Sequence, residues 1–214
     1  VVMHADGVQA LGKISVDVHT LGVDLYSVSA HKLYAPKGVG ALYVRKGVKL
    51  SGVTFGGQHE RGRRPGTENV PAIAAFGAAA ELARISLESG GRRVGEMRDR
   101  LETEVLARIP DTGVNGSRAH RTPNTTNIQF NGVDGEAMVI ALDLRGFAVS
   151  TGSACSSGAI TPSHVLTAIG LSADAARSSI RFSLGASNTM DQVTELVAAI
   201  EASVAHLRRI SVHA

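Results

Sequence analysis

VDLYSVSAHKLYAPKGVGALYV, residues 23–44, is the stretch whose reading decides the fold. Leu25–Ser29 and Gly40–Val44 are short runs with strand character, separated by a loop punctuated by Pro36 and Gly38. Adjacent His31 and Lys32 stand at the end of the first run. Working outward, Val1–Ala5 and Gly52–Phe55 are further strand candidates, and Gly7, Gly22, Gly47 and the Gly56-Gly57 pair mark turns. Asn69–Glu88 is rich in alanine, with Ile73, Phe76, Ala80 and Leu82 at roughly helical spacing and Pro71 suited to a first turn. Short apolar runs alternating with helical stretches predict an α/β protein.

Gly90-Gly91 is expected to break that helix, and Arg92–Ile109 resumes a helical pattern, so a domain boundary is expected there, giving residues 1–90 and 91–214. The second part predicts strands at Thr126–Phe130, Phe147–Ser150 and Ser179–Ser183. Helices are expected near Gly135–Leu144, at Ser163–Ile169 and at Thr189–Arg208. This reads as a small α+β domain whose sheet is covered by the last helix.

At 214 residues the chain can bury one good-sized core or two modest ones. Hydrophobic residues make up 43% and charged residues 19%, a globular composition. Eight aromatic rings, no Trp, and a net charge of +3 without a basic run argue against a nucleic-acid partner. Uninterrupted apolar runs fall short of the ~20 residues that span a bilayer, so no membrane partner is expected. A single cysteine, Cys155, excludes an internal disulfide framework and a multi-cysteine zinc site, and a reducing cytoplasmic setting fits. The chain opens on Val1 without a start methionine, the expectation for a fragment or a processed product.

Five features can carry chemistry. Lys32 at a strand end is a candidate Schiff-base nucleophile or a solvated surface amine. Asp6, in HADGVQA at 4–10, is either a turn aspartate or a carboxylate at a strand C-terminus able to pair with a pyridinium nitrogen. Cys155, in STGSACSSGA at 150–159, sits among small and polar residues, which suits a thiol on a loop better than a core filler. GGQHERGRRPGTEN at 56–69 is a phosphate-receiving loop or a solvated basic one. Arg181, a charge inside the apolar strand SSIRFSL, needs a substrate carboxylate or a structural salt bridge. His59, His120, His164 and His206 show no metal-ligand spacing and are read as surface or cap residues.

Taken in order, HADGVQALGKI, VDLYSVSAHKLYAPKGVGALYVRKG, FGGQHERGRRPGTENV, STGSACSSGAITPSHVLTAIGL and SSIRFSLG resemble the NifS/IscS-type cysteine desulfurases. These belong to the class V aminotransferase family of fold type I enzymes dependent on pyridoxal 5'-phosphate (PLP). The resemblance implies part of a PLP-binding large domain over residues 1–90 and a small α+β domain over 91–214. By the same resemblance Lys32 carries PLP, Asp6 pairs with its ring nitrogen, and Gln9 bonds its ring hydroxyl. Ser29 and His31 contact its phosphate, His31 counting with the catalytic residues as well. Thr67 reaches the phosphate of a neighbouring subunit, which implies a homodimer. Arg181 clamps the carboxylate of L-cysteine, and Cys155 takes the sulfur as a persulfide for an acceptor such as an iron–sulfur scaffold protein. Family members are considerably longer, and no segment here matches their phosphate-cradling turn, ring-stacking histidine or substrate-side asparagine. Selenocysteine lyase and class V aminotransferase are the alternative enzymes, and a truncated, PLP-free binding module is the alternative from another class.

Overall fold

The computed structural model describes residues 1–152 and 162–211, and the chain divides into two compact units, Val1–Ser89 and Gly90–Ala214. The first unit holds a three-stranded sheet in the order β1-β2-β3: β1 (His4–Asp6), β2 (Leu25–Ser29) and β3 (Gly40–Val44). β1 and β2 run parallel, with Asp6 opposite Ser27, and β3 pairs antiparallel to β2. A short helix, α1 (Val18–Leu21), lies between the parallel strands, capped by Asp17, whose carboxylate accepts from the His19 N–H. It ends at Gly22 in the left-handed region, the conformation glycine adopts at least cost.

Gly52–Phe55 is not a strand. No ladder forms there among the described residues, and Phe55 is 93% exposed, so its apolar pattern finds no sheet to join. The first strand is also shorter than its apolar run, beginning only at His4. The loop leads instead to a single turn, α2 (His59–Gly62), in which Glu60 and Arg61 hold left-handed backbone.

α3 (Val70–Arg108) passes through Gly90-Gly91 without a break. Each mid-helix glycine costs only about 1 kcal/mol relative to alanine, too little to interrupt a helix whose downstream turns bury Val94, Met97, Leu101 and Val105. Its upstream half is a different surface: Val70, Ile73, Leu82 and Ile85 are exposed. By length and composition α3 is long and apolar enough to cross a membrane, with a mean hydropathy of 1.4 over one window. Counting uninterrupted apolar residues does not find this window, because Glu81 and Arg84 interrupt the run; the two side chains pair with each other on the helix surface.

The second unit is built on an antiparallel sheet in the order β4-β5-β6, from β4 (Thr112–Val114), β5 (Thr125–Phe130) and β6 (Ser179–Ser183). β5 alternates half-buried and buried residues, and Ile128, Phe130, Ile180 and Phe182 enter one core. The Phe130 and Phe182 rings meet edge to face with centroids 6.4 Å apart. The same core takes the downstream half of α3, α4 (Gly135–Asp143) and α7 (Met190–Ser211), which contributes Val193, Leu196, Val197, Ile200 and Val204 at helical spacing. Two short helices, α5 (His164–Ala168) and α6 (Ala173–Arg177), precede β6. The expected strand Phe147–Ser150 reduces to one antiparallel bridge between Ser150 and Arg181. Buried beside this core, Glu102 accepts hydrogen bonds from both ends of the Arg121 guanidinium, with Arg98 nearby. Burial alone would raise the Glu102 carboxyl, but the Arg121 hydrogen bonds and the neighbouring cations hold it below its ordinary value.

Candidate active site

In a parallel pair the strand C-termini share one edge, the place where open α/β sheets collect ligands. Asp6 ends β1 at that edge, and β2 runs two residues past its partner to Ser29, then turns directly into a 3-10 helix, Ala30–Leu33. Ala30 and Leu33 are buried and anchor this turn, leaving His31 exposed and Lys32 half-buried between them. The turn closes at Tyr34, whose backbone is left-handed (φ 64°) and whose N–H donates to the Ala30 carbonyl. Ser29 Oγ and His31 Nδ1 are 2.8 Å apart and hydrogen-bonded.

The segment after Asp6 coils back on itself, with Ala10 and Leu11 donating to the Gly7 carbonyl and Lys13 and Ile14 to that of Ala10. Asp6 begins the coil, accepting from the Val8 N–H at 2.9 Å. It therefore has the geometry of a turn aspartate, with its carboxylate exposed at the strand edge. Two close contacts clamp the coil. A Cβ on Gly7 would stand 1.9 Å from Tyr26 Cζ, so only glycine lets that ring lie beneath the turn. Gly12, at φ 73°, is held against Leu33 of the 3-10 helix, where a Cβ would come within 2.3 Å of Leu33 Cδ2.

The charges follow from this packing. Burial, and then the negative charge of Asp6, raise the Tyr26 phenol above its ordinary value. Burial, and then the positive charge of Lys32, lower the Lys13 ammonium. Among the described residues neither Lys13 nor Lys32 pairs with a carboxylate. Lys13 instead donates to Gln9 Oε1 at 3.4 Å. His4, two residues before Asp6 and so on the same face of β1, bonds Ser27 Oγ at 2.8 Å. His4 and Lys13 are not among the residues expected from the sequence to carry chemistry. The two-residue alternation of a strand and the four-residue spacing from Gln9 were the available signals.

The structure thus brings Asp6, Ser29, His31 and Lys32 to one edge, with Gln9 on the coil that leaves it. Thr67 is exposed in the loop before α3, its carbonyl accepting from Arg64 at 3.1 Å. Among the described residues no hydrogen bond ties Thr67 to that edge. His59, expected on the surface, is half-buried with an unpartnered Nδ1.

Arg181 belongs to the second unit, in the middle of β6 opposite Asn127. Its N–H donates to Ser150 O at 2.6 Å and its carbonyl accepts from the Ser150 N–H at 3.3 Å. Its Nε is buried without a partner, and no carboxylate pairs with it among the described residues. A half-buried guanidinium without a carboxylate partner among the described residues suits an incoming anion. Cys155 and most of its loop lie outside the described residues.

The class-V aminotransferase family matches residues 1–196. A cysteine desulfurase of Nostoc sp. is 47% identical over 210 residues, covering 98% of this chain and 52% of that protein. The solved structure of a NifS-like protein superposes with a TM-score of 0.86 at 32% identity, covering 96% of this chain and 53% of that one. A structure of SspA in complex with cysteine superposes with a TM-score of 0.65 at 33% identity, covering 86% of this chain and 50% of the other. The mixed α/β fold is therefore the NifS-like one, and the chain spans about half the length of the curated relatives it matches.

Proposed function

From the chain's membership of the class-V aminotransferase family, we propose that it forms the C-terminal portion of a PLP-dependent cysteine desulfurase. In this reading residues 1–90 belong to the cofactor-binding large domain and residues 91–214 to the small domain that carries the thiol. The observation that carries it is the convergence of Asp6, Ser29, His31 and Lys32 on one strand edge.

That edge fits the cofactor's chemistry. A carboxylate suits a protonated ring nitrogen, a hydroxyl–imidazole pair suits a phosphate, and two amines without carboxylate partners among the described residues favour an anion. Pyridoxal phosphate, when bound, supplies an electron sink for a carbanion at the substrate α-carbon. Asp6 keeps a proton on the ring nitrogen, and Gln9 donates to the ring hydroxyl. Ser29 and His31 take the phosphate, and Thr67 reaches that of a second copy of the chain. Lys32 provides the attachment amine and then moves the α-proton as base and acid. Arg181 receives the substrate carboxylate with its guanidinium, whose Nε has no partner among the described residues. Cys155, as the thiolate, takes the sulfur of L-cysteine and becomes a persulfide, with alanine the other product. The assembly is a cytoplasmic homodimer that hands its sulfur to an acceptor such as an iron–sulfur scaffold protein.

Borohydride reduction in the presence of PLP, followed by peptide mapping, tests this reading. The expected result is an adduct on Lys32, absent from Lys32→Ala, and sulfane sulfur on Cys155 only after L-cysteine is added. An adduct confined to other lysines, or sulfur that appears on Cys155 without Lys32, would sink it.

A further inference from the structure

The amide of Gln9 has two ends of opposite character, and only one of them can face a ligand oxygen usefully. Lys13 lies four residues on, in the coil that Gly12 clamps to the Lys32-bearing helix, and its Nζ is 3.4 Å from Gln9 Oε1. An ammonium has three donors and no acceptor, so the amide end facing Lys13 has to be the oxygen. Lys13 is half-buried, has no carboxylate partner among the described residues, and donates to the Gln9 oxygen.

We propose that Lys13 is a positioning residue acting through Gln9: it turns the amide oxygen inward and so presents the NH2 group as a donor to the ligand held at the Asp6–Lys32 edge. The ligand group addressed is an anionic or strongly accepting oxygen, here the ring hydroxyl of the cofactor, and to that extent the inference rests on the reading above. Without Lys13 the amide samples both faces, and one of them offers the same ligand oxygen a repelling carbonyl.

Two variants separate charge and donor from packing: Lys13→Met removes both, and Lys13→Arg keeps both. In cofactor-free, 15N-labelled protein, the side-chain amide resonance of Gln9 is identified by its loss in Gln9→Leu. Its order parameter should stay high in the parent and in Lys13→Arg and fall in Lys13→Met. With PLP bound, Lys13→Met should move the pH midpoint of the visible absorption band in the same direction as Gln9→Leu, by up to about one pH unit. The double variant should shift no further than Gln9→Leu alone. An order parameter unchanged in Lys13→Met, or a double variant that shifts by the sum of the two, overturns the proposal. A missing visible band in every variant counts against the cofactor reading instead, and the cofactor-free resonance then decides the role of Lys13.

Discussion

The two units of this chain solve different problems. The second closes a core in which Leu101, Val105, Ile128, Phe130, Leu142 and Ile200 are fully buried. The first buries little beyond Val23, Tyr26, Ala30, Leu33 and Ala72, and leaves Val53, Phe55, Leu82 and Ile85 to solvent. Yet the first unit holds Asp6, Gln9, Ser29, His31 and Lys32. Their arrangement is set by contacts within this unit. It depends on strand register and on two glycine contacts, Tyr26 beneath Gly7 and Leu33 against Gly12. Local close packing can fix a polar edge where the core is thin.

The largest effect expected from this contrast is in the second unit. Phe130→Ala should cost about 3–5 kcal/mol, because the ring is fully buried and meets Phe182. Urea unfolding followed by hydrogen exchange should show the loss in amides of β5 and β6 first. Next is Arg121→Ala, which leaves the buried Glu102 carboxylate with the more distant Arg118 at 3.7 Å and should fall at the lower end of about 3–5 kcal/mol. The pH dependence carries a sign. The folded Glu102 carboxyl is lowered, so its stabilisation is present above the unfolded value of about 4.3 and is lost as pH falls through the folded value. The parent should weaken along that acid limb in urea titrations, and Arg121→Ala should flatten it; an unchanged limb would assign it to other groups.

A smaller loss, about 1–3 kcal/mol, is expected for Gly7→Ala in the first unit, where the new methyl meets the Tyr26 ring. This variant also breaks or sharpens the comparison directly. If Gly7→Ala and Phe130→Ala move one and the same unfolding transition, the two units are a single cooperative body. If they move separate transitions, the thin unit stands on its own contacts. The smallest effect is a gain. Gly77 lies inside α3 with nothing within 4 Å of an added Cβ, so Gly77→Ala should raise the melting free energy by about 0.5–1 kcal/mol.

Much of the fold was legible where side-chain pattern and backbone demand agree. Leu25–Ser29, Gly40–Val44 and Ser179–Ser183 are strands with the expected bounds, because each presents a short apolar run with a partner to pair with. Gly52–Phe55 has the same kind of run but no partner among the described residues, and forms no strand. Gly90-Gly91 carries a strong local break signal that the burial of Val94, Met97 and Leu101 downstream overrides.

At the site, residue types made Lys32, Asp6 and Arg181 candidates, each beside a solvated, turn or salt-bridge reading, and their roles came with the family resemblance. Sequence by itself also settled the family, through ordered motifs that run nearly the whole chain. Three things needed the tertiary structure: that the parallel register sets Asp6 opposite Ser27, two residues before the Ser29–Lys32 turn, that Arg181 finds no carboxylate among the described residues, and that the charge of Lys32 is felt at Lys13. The reason is physical. Motifs and periodicity are properties of neighbours along the chain, whereas register, an orphaned charge and a like-charge approach are set by which distant segments pack together.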